Sequence, residues 1–170
     1  DGRGSSLSTS EIMRIADLLQ RAGLPPGVFT VVAGEGSVVG PLVIDRSDYV
    51  MFTGSTAVGR GVAARCGELL IGCSMELGGK NAMIVRGDAD IAAAAALACR
   101  ASFSNSGQLC ISMERIYVDQ SIVDEFLDAF ARRTQALRMS AQIGWGADVG
   151  SLMSLRQRDR VAAHVENAVT

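Results

Sequence analysis

The thiol and imidazole side chains of this chain are four cysteines, Cys66, Cys73, Cys99 and Cys110, and a single histidine, His164. Cys110 is set apart by its neighbours. It follows the polar, glycine-containing run Ser104-Asn105-Ser106-Gly107-Gln108-Leu109. Backbone N–H groups in such a run could lower a thiol's pKa and hold a developing oxyanion. Cys99 lies in an alanine-rich helical stretch, Cys66 ends a helical pattern, and Cys73 stands in an apolar run near Met75, so these three read as packing residues. Glu76 lies in Met75-Glu76-Leu77-Gly78-Gly79-Lys80. It is either a solvated loop charge or a general base whose burial raises its pKa toward working pH. A thiol and a lone carboxylate on separate elements point to a nucleophile and a base. A third segment, Gly54-Ser55-Thr56-Ala57-Val58-Gly59, stands where a strand gives way to a helix. It is open to two readings: a tight turn with a hydroxyl cap, or a helix start whose free N–H groups and dipole attract an anion. Its spacing is not that of a G-x-G-x-x-G fingerprint.

Other chemistries find less support. No two cysteines form a C-x-x-C pair and His164 is distant in sequence, which disfavours a zinc site. A Cys–His hydrolase would need His164 as the partner of Cys110, yet no triad-like motif surrounds either residue. With a net charge of −2 over 170 residues, no basic concentration suits a phosphate backbone, so nucleic acid is not an expected partner. No apolar run reaches membrane-spanning length, and no secretory signal opens the chain. The cysteines are therefore expected as reduced thiols in a cytoplasm.

The elements that must position these residues alternate between helix and strand. Ser8-Thr9-Ser10-Glu11 has capping-box spacing ahead of a helix through Ile12, Ile15, Leu18, Leu19 and Ala22, closed by Gly23 and Pro25-Pro26. Residues 28–33 predict a buried strand, residues 36–44 a weaker helix, and residues 49–53 another strand. A helix over 57–66 is capped by Ser55 or Thr56 and stopped at Gly67. Strands follow in 69–74 and 82–85, flanking the Gly78-Gly79 turn. Asp88 caps a helix over 89–102, a strand covers 115–118, Ser121 starts an amphipathic helix through Leu137, residues 140–154 form a loop, and a last helix covers about 155–169. This order fits part of a doubly wound, Rossmann-like α/β domain with a parallel sheet.

Phe52-Thr53-Gly54-Ser55-Thr56, Glu76-Leu77-Gly78-Gly79-Lys80 and Gly107-Gln108-Leu109-Cys110 resemble, in order and spacing, three motifs of the aldehyde dehydrogenase superfamily. The resemblance covers residues 18–165, and the run from Phe103 to Val118 looks most like the succinate-semialdehyde dehydrogenase branch. It implies a partial dinucleotide-binding domain over residues 1–76 and the beginning of the family's catalytic α/β domain over residues 77–170. Cys110 would be the nucleophile, Glu76 the base that activates water against a thioester, and Gly54 and Ser55 contacts to an NADP or NAD cofactor. Leu77 would lie with its backbone against the nicotinamide end, and Lys80 would be structural. It further implies a small aldehyde substrate, no metal, and a homo-oligomer for the full-length enzyme. The family's ribose-gripping segment, its oxyanion-hole asparagine and its oligomerisation strands are expected outside this stretch. A truncated, non-catalytic remnant is the alternative.

Overall fold

A computed structural model describes residues 9–142 and 144–170. It divides into two compact units, one ending at Leu77 and the other beginning at Gly78. The first opens on α1 (Thr9–Arg21), an amphipathic helix; Ser8 of the expected capping box lies outside the described residues. Its end follows the sequence. Gly23 takes φ +94°, and Leu24 N–H reaches back to the Leu19 carbonyl at 3.0 Å, the hydrogen bond of a glycine-terminated helix. Residues 28–33, expected as a buried strand, form none. Val28 and Val32 are 65% and 61% exposed. A β-branched run becomes a strand only by pairing, and among the described residues this one has no strand beside it. The short helix α2 (Gly36–Ile44) forms as expected despite the internal Pro41, and buries only Ile44.

The rest of the first unit is one parallel crossover: β1 (Tyr49–Gly54), α3 (Thr56–Leu69) and β2 (Gly72–Leu77). The strands pair in register from Tyr49 against Gly72 to Gly54 against Leu77. Ser55 is the N-cap of α3, its hydroxyl accepting from Val58 N–H at 3.4 Å. The helix does not stop at Gly67. That glycine stays helical, and the left-handed residue that ends α3 is Leu70, at φ 58°, ψ 32°. Ile71 N–H closes the end on the Cys66 carbonyl at 3.0 Å. Glycine weakens a helix interior by about 1 kcal/mol but does not forbid it, and the Arg65–Glu68 pair at 2.8 Å spans this last turn.

The second unit repeats the crossover with β3 (Asn81–Val85), α4 (Ile91–Phe103) and β4 (Met113–Val118), again a parallel pair. It adds α5 (Val123–Gln135) and α6 (Leu155–Val169). The cap of α4 is Asp90 rather than Asp88. Its carboxylate accepts from Ala93 N–H at 3.0 Å, while Asp88 pairs with Arg86. Ser121 does not cap α5 either: the Asp119 carboxylate takes its N–H and hydroxyl at 2.9 and 2.7 Å, which holds the Asp119 carboxyl below the usual range. The core lies here. Val85, Ala94, Ala95, Ala98 and Phe126 are buried together, and Phe130 stacks on both Phe126 and Phe103. The small face of α4 is what lets β3 and α5 approach it. The expected α/β class is present, as two strand–helix–strand crossovers. Among the described residues, no helix is long and apolar enough to cross a membrane.

Candidate functional site

Four of the five residues singled out in the sequence fall at one end of the first unit. Gly54 stands opposite Leu77 and Thr53 opposite Glu76, so the carboxyl ends of β1 and β2 bring Gly54, Glu76 and Leu77 side by side, with Ser55 next in the chain. In open parallel sheets this is the end where ligands bind. The first turn of α3 opens there. Its leading N–H groups, on Thr56 and Ala57, have no carbonyl of their own helix to meet, and both residues are exposed. That edge can take a phosphate, so the residues present fit part of a dinucleotide.

Gly54 and Gly59 are needed for a different reason. A Cβ on Gly54 would stand 2.5 Å from the Phe52 ring, and one on Gly59 would stand 2.7 Å from Leu77 Cδ2. Gly54 makes room for the Phe52 ring of its own strand, and Gly59 lets α3 close on β1 and β2; Gly59 was not among the candidates. Its signal was the second glycine of the Gly54-to-Gly59 run. Glu76 is exposed on β2, so the burial expected of a general base is not supplied by the described residues.

Cys110 lies in the second unit, between α4 and β4, and is exposed. The backbone that leads to it is strained. Asn105 (φ 51°, ψ 36°) and Ser106 (φ 58°, ψ 33°) are left-handed, and Gly107 follows at φ +71°. Two consecutive non-glycine residues in this region cost about 1–2 kcal/mol each, and such strain gathers at functional sites. Side-chain amides hold the turn in place. Asn105 Nδ2 donates to the Gln108 carbonyl and Gln108 Nε2 to the Asn105 carbonyl, both at 3.2 Å, while Gln108 Oε1 accepts from Met153 N–H at 3.1 Å. Ser106 Oγ donates to the Gly150 carbonyl at 3.0 Å.

From β3, Asn81 Nδ2 donates to the carbonyls of Cys110 at 2.6 Å and Ser112 at 2.9 Å. Neither Asn81 nor Asn105 was a sequence candidate, although Asn105 lies inside a flagged run and Asn81 directly follows Lys80. Lys80 pairs with Glu114, in keeping with a structural role.

The remaining thiols divide differently from expectation. Cys66 and Cys99 are buried, but Cys73, read as packing, is exposed, although it neighbours the buried Cys66. Burial first, and the neighbouring Cys73 second, push the Cys66 thiol up. His164 is exposed on α6 and makes no hydrogen bond to Cys110. No group of three or more His, Cys, Asp or Glu side chains is placed to hold a metal among the described residues.

A sequence profile described as the aldehyde dehydrogenase family matches residues 3–170. The chain belongs to the aldehyde dehydrogenase family. Among its relatives is a protein of Mycolicibacterium smegmatis, named provisionally as a succinate-semialdehyde dehydrogenase for NADP(+). The two are 52% identical over 153 residues, which is 90% of this chain and 30% of that protein. Solved aldehyde dehydrogenases share the fold. A 3,6-anhydro-L-galactose dehydrogenase in complex with NAP superposes with a TM-score of 0.91 at 30% identity, covering 97% of this chain and 35% of its own. An indole-3-acetaldehyde dehydrogenase complexed with NAD+ gives 0.86 at 33% identity, covering 90% and 32%. The chain thus spans about a third of the length of the family members it matches.

Proposed function

We propose that this chain supplies the nucleophile, the base and part of the cofactor edge of an enzyme that oxidises an aldehyde, with succinate semialdehyde as substrate, to the carboxylic acid. The unit through Leu77 would hold the dinucleotide and the unit from Gly78 would carry the nucleophile. The strained, amide-held turn that presents an exposed Cys110 is the observation that carries the proposal. Bound NADP or NAD supplies the hydride acceptor; the N–H groups at the start of α3, beside Gly54 and Ser55, and the backbone at Leu77 are the residues that would hold it. The names of the relatives, which give NADP(+), NAP and NAD+, support that cofactor class.

The chain's own residues account for the rest. The Cys110 thiolate attacks the aldehyde carbon, forming a C–S bond as the carbonyl π pair moves onto oxygen. Loss of hydride from that carbon restores the carbonyl as a thioester. Glu76 then takes a proton from water as the water oxygen attacks the thioester carbon. Collapse breaks the C–S bond, returns the thiolate and releases the acid.

The test is Cys110→Ser in the complete encoded protein. An alkoxide-forming hydroxyl is far less nucleophilic than a thiolate at neutral pH, so NAD(P)H formation with succinate semialdehyde is expected to fall by at least on the order of 10³-fold. Iodoacetamide is expected to label Cys110 ahead of the buried Cys66 and Cys99. Turnover that survives the substitution removes Cys110 from the chemistry.

A further inference from the structure

We propose that Asn81 is a positioning residue for Cys110, fixing the backbone at the thiol's own residue and two residues after it through one side-chain amide; this rests on Cys110 being the nucleophile. Asn81 is the first residue of β3, and the pairing of β3 with β4 shifts register between Asn81 and Ala82. Such irregularities re-aim a side chain. Here the side chain reaches the chain entering β4, with Nδ2 donating to the Cys110 and Ser112 carbonyls at 2.6 and 2.9 Å. Both partners are acceptors, so the amide nitrogen must face them, and both of its hydrogens are used. A carboxylate of the same shape would set two acceptors against two carbonyls. A serine could offer one hydrogen from a shorter stem.

The amides of Asn105 and Gln108 hold the turn before Cys110, but they belong to that turn. Asn81 is the contact that comes from another element and holds the thiol's own residue. With the carbonyl of Cys110 fixed, rotation about its Cα–C bond is stopped and the direction of Cα–Cβ is set. A reacting atom displaced by about 1 Å can lose on the order of 10² in rate, and that loss falls on the chemical step, not on aldehyde binding. A mere staple between β3 and the loop would lower stability and leave the chemistry of Cys110 unchanged.

The experiment compares Asn81→Asp, Asn81→Ser and Asn81→Gln in the complete encoded protein. It reads kcat and KM for succinate semialdehyde, thermal unfolding, and the rate of Cys110 labelling by iodoacetamide from about pH 6 to 9, followed by peptide mass spectrometry. For Asn81→Asp and the neutral Asn81→Ser, kcat is expected to drop by on the order of 10–10²-fold with KM nearly unchanged, and the pH midpoint of Cys110 labelling to move. Asn81→Gln, which keeps two N–H donors, is expected to recover part of both. Wild-type kcat and wild-type labelling in folded Asn81→Ser overturn the proposal. So does loss of folding in both Asn81→Asp and Asn81→Ser, which is the mark of a staple. A wild-type protein without aldehyde oxidation overturns the enzymatic assignment instead, and the labelling profiles still decide whether Asn81 controls Cys110.

Discussion

Glu76 and Cys110 ask different things of their surroundings. A thiolate needs presentation, and Cys110 receives it from a left-handed turn fixed by amides. A base needs a carboxylate next to a water it can deprotonate, and Glu76 sits one residue before the end of β2. Glu76→Gln keeps the shape and removes the proton acceptor. Turnover is expected to fall by on the order of 10²–10⁴-fold, with the acyl adduct on Cys110 accumulating in intact-mass spectra after aldehyde and cofactor are added. Unchanged steady-state turnover would remove Glu76 from the deacylation step. Residue types made both visible in the sequence, because a thiol after a polar, glycine-containing run and a glutamate before Gly-Gly-Lys are local patterns. Asn81 was not visible. Its bond to the Cys110 carbonyl joins residues 29 apart, and an asparagine that donates to a distant carbonyl reads the same as one in a turn. The exposure of Cys73 was hidden for a similar reason. An apolar run tells that a strand is there, but not how fully a neighbour covers each of its residues.

At the level of elements, local signals carried and non-local ones did not. The Ser55 cap and the Gly23 stop involve atoms within a few residues of each other, and both were legible. The run at 28–33 has every propensity of a strand and, among the described residues, no strand beside it, which no local pattern foretells. Gly67 misled because glycine ends a helix only where the chain turns left-handed, and in α3 that turn comes three residues later, at Leu70. Leu70 is 93% exposed, so its side chain gains little from packing in return for its φ of 58°. Leu70→Gly removes the Cβ penalty at that position. It is expected to raise stability by about 0.5–1 kcal/mol despite the extra entropy of glycine in the unfolded chain, since the left-handed cost is about 1–2 kcal/mol. A denaturant midpoint that does not rise would mean that Leu70 holds something its exposure does not reveal.

Across the molecule the two units are built from the same crossover but differ in what they bury. In the second, Phe126 is 1% exposed and closes a cluster with Val85, Ala94, Ala95 and Ala98. In the first, Ile44 and Cys66 are the buried apolar side chains among the described residues. Neither α1 nor α6 buries a residue. Local opening is cheapest where few apolar contacts must break. Amide hydrogen exchange is therefore expected to be slowest in β3, α4, β4 and α5, faster in β1, α3 and β2, and fastest in α1, α6 and residues 28–33. Phe126→Ala should cost about 3–5 kcal/mol, the usual range for emptying a buried phenylalanine site. That loss should appear as faster exchange throughout β3, α4, β4 and α5, because those elements share the cluster that Phe126 completes. Exchange in β1, α3 and β2 should keep its wild-type rates, since none of their residues contributes to that cluster. If Phe126→Ala speeds exchange in both units equally, they unfold as one cooperative body, and the separate cores seen in the packing do not set the order of opening.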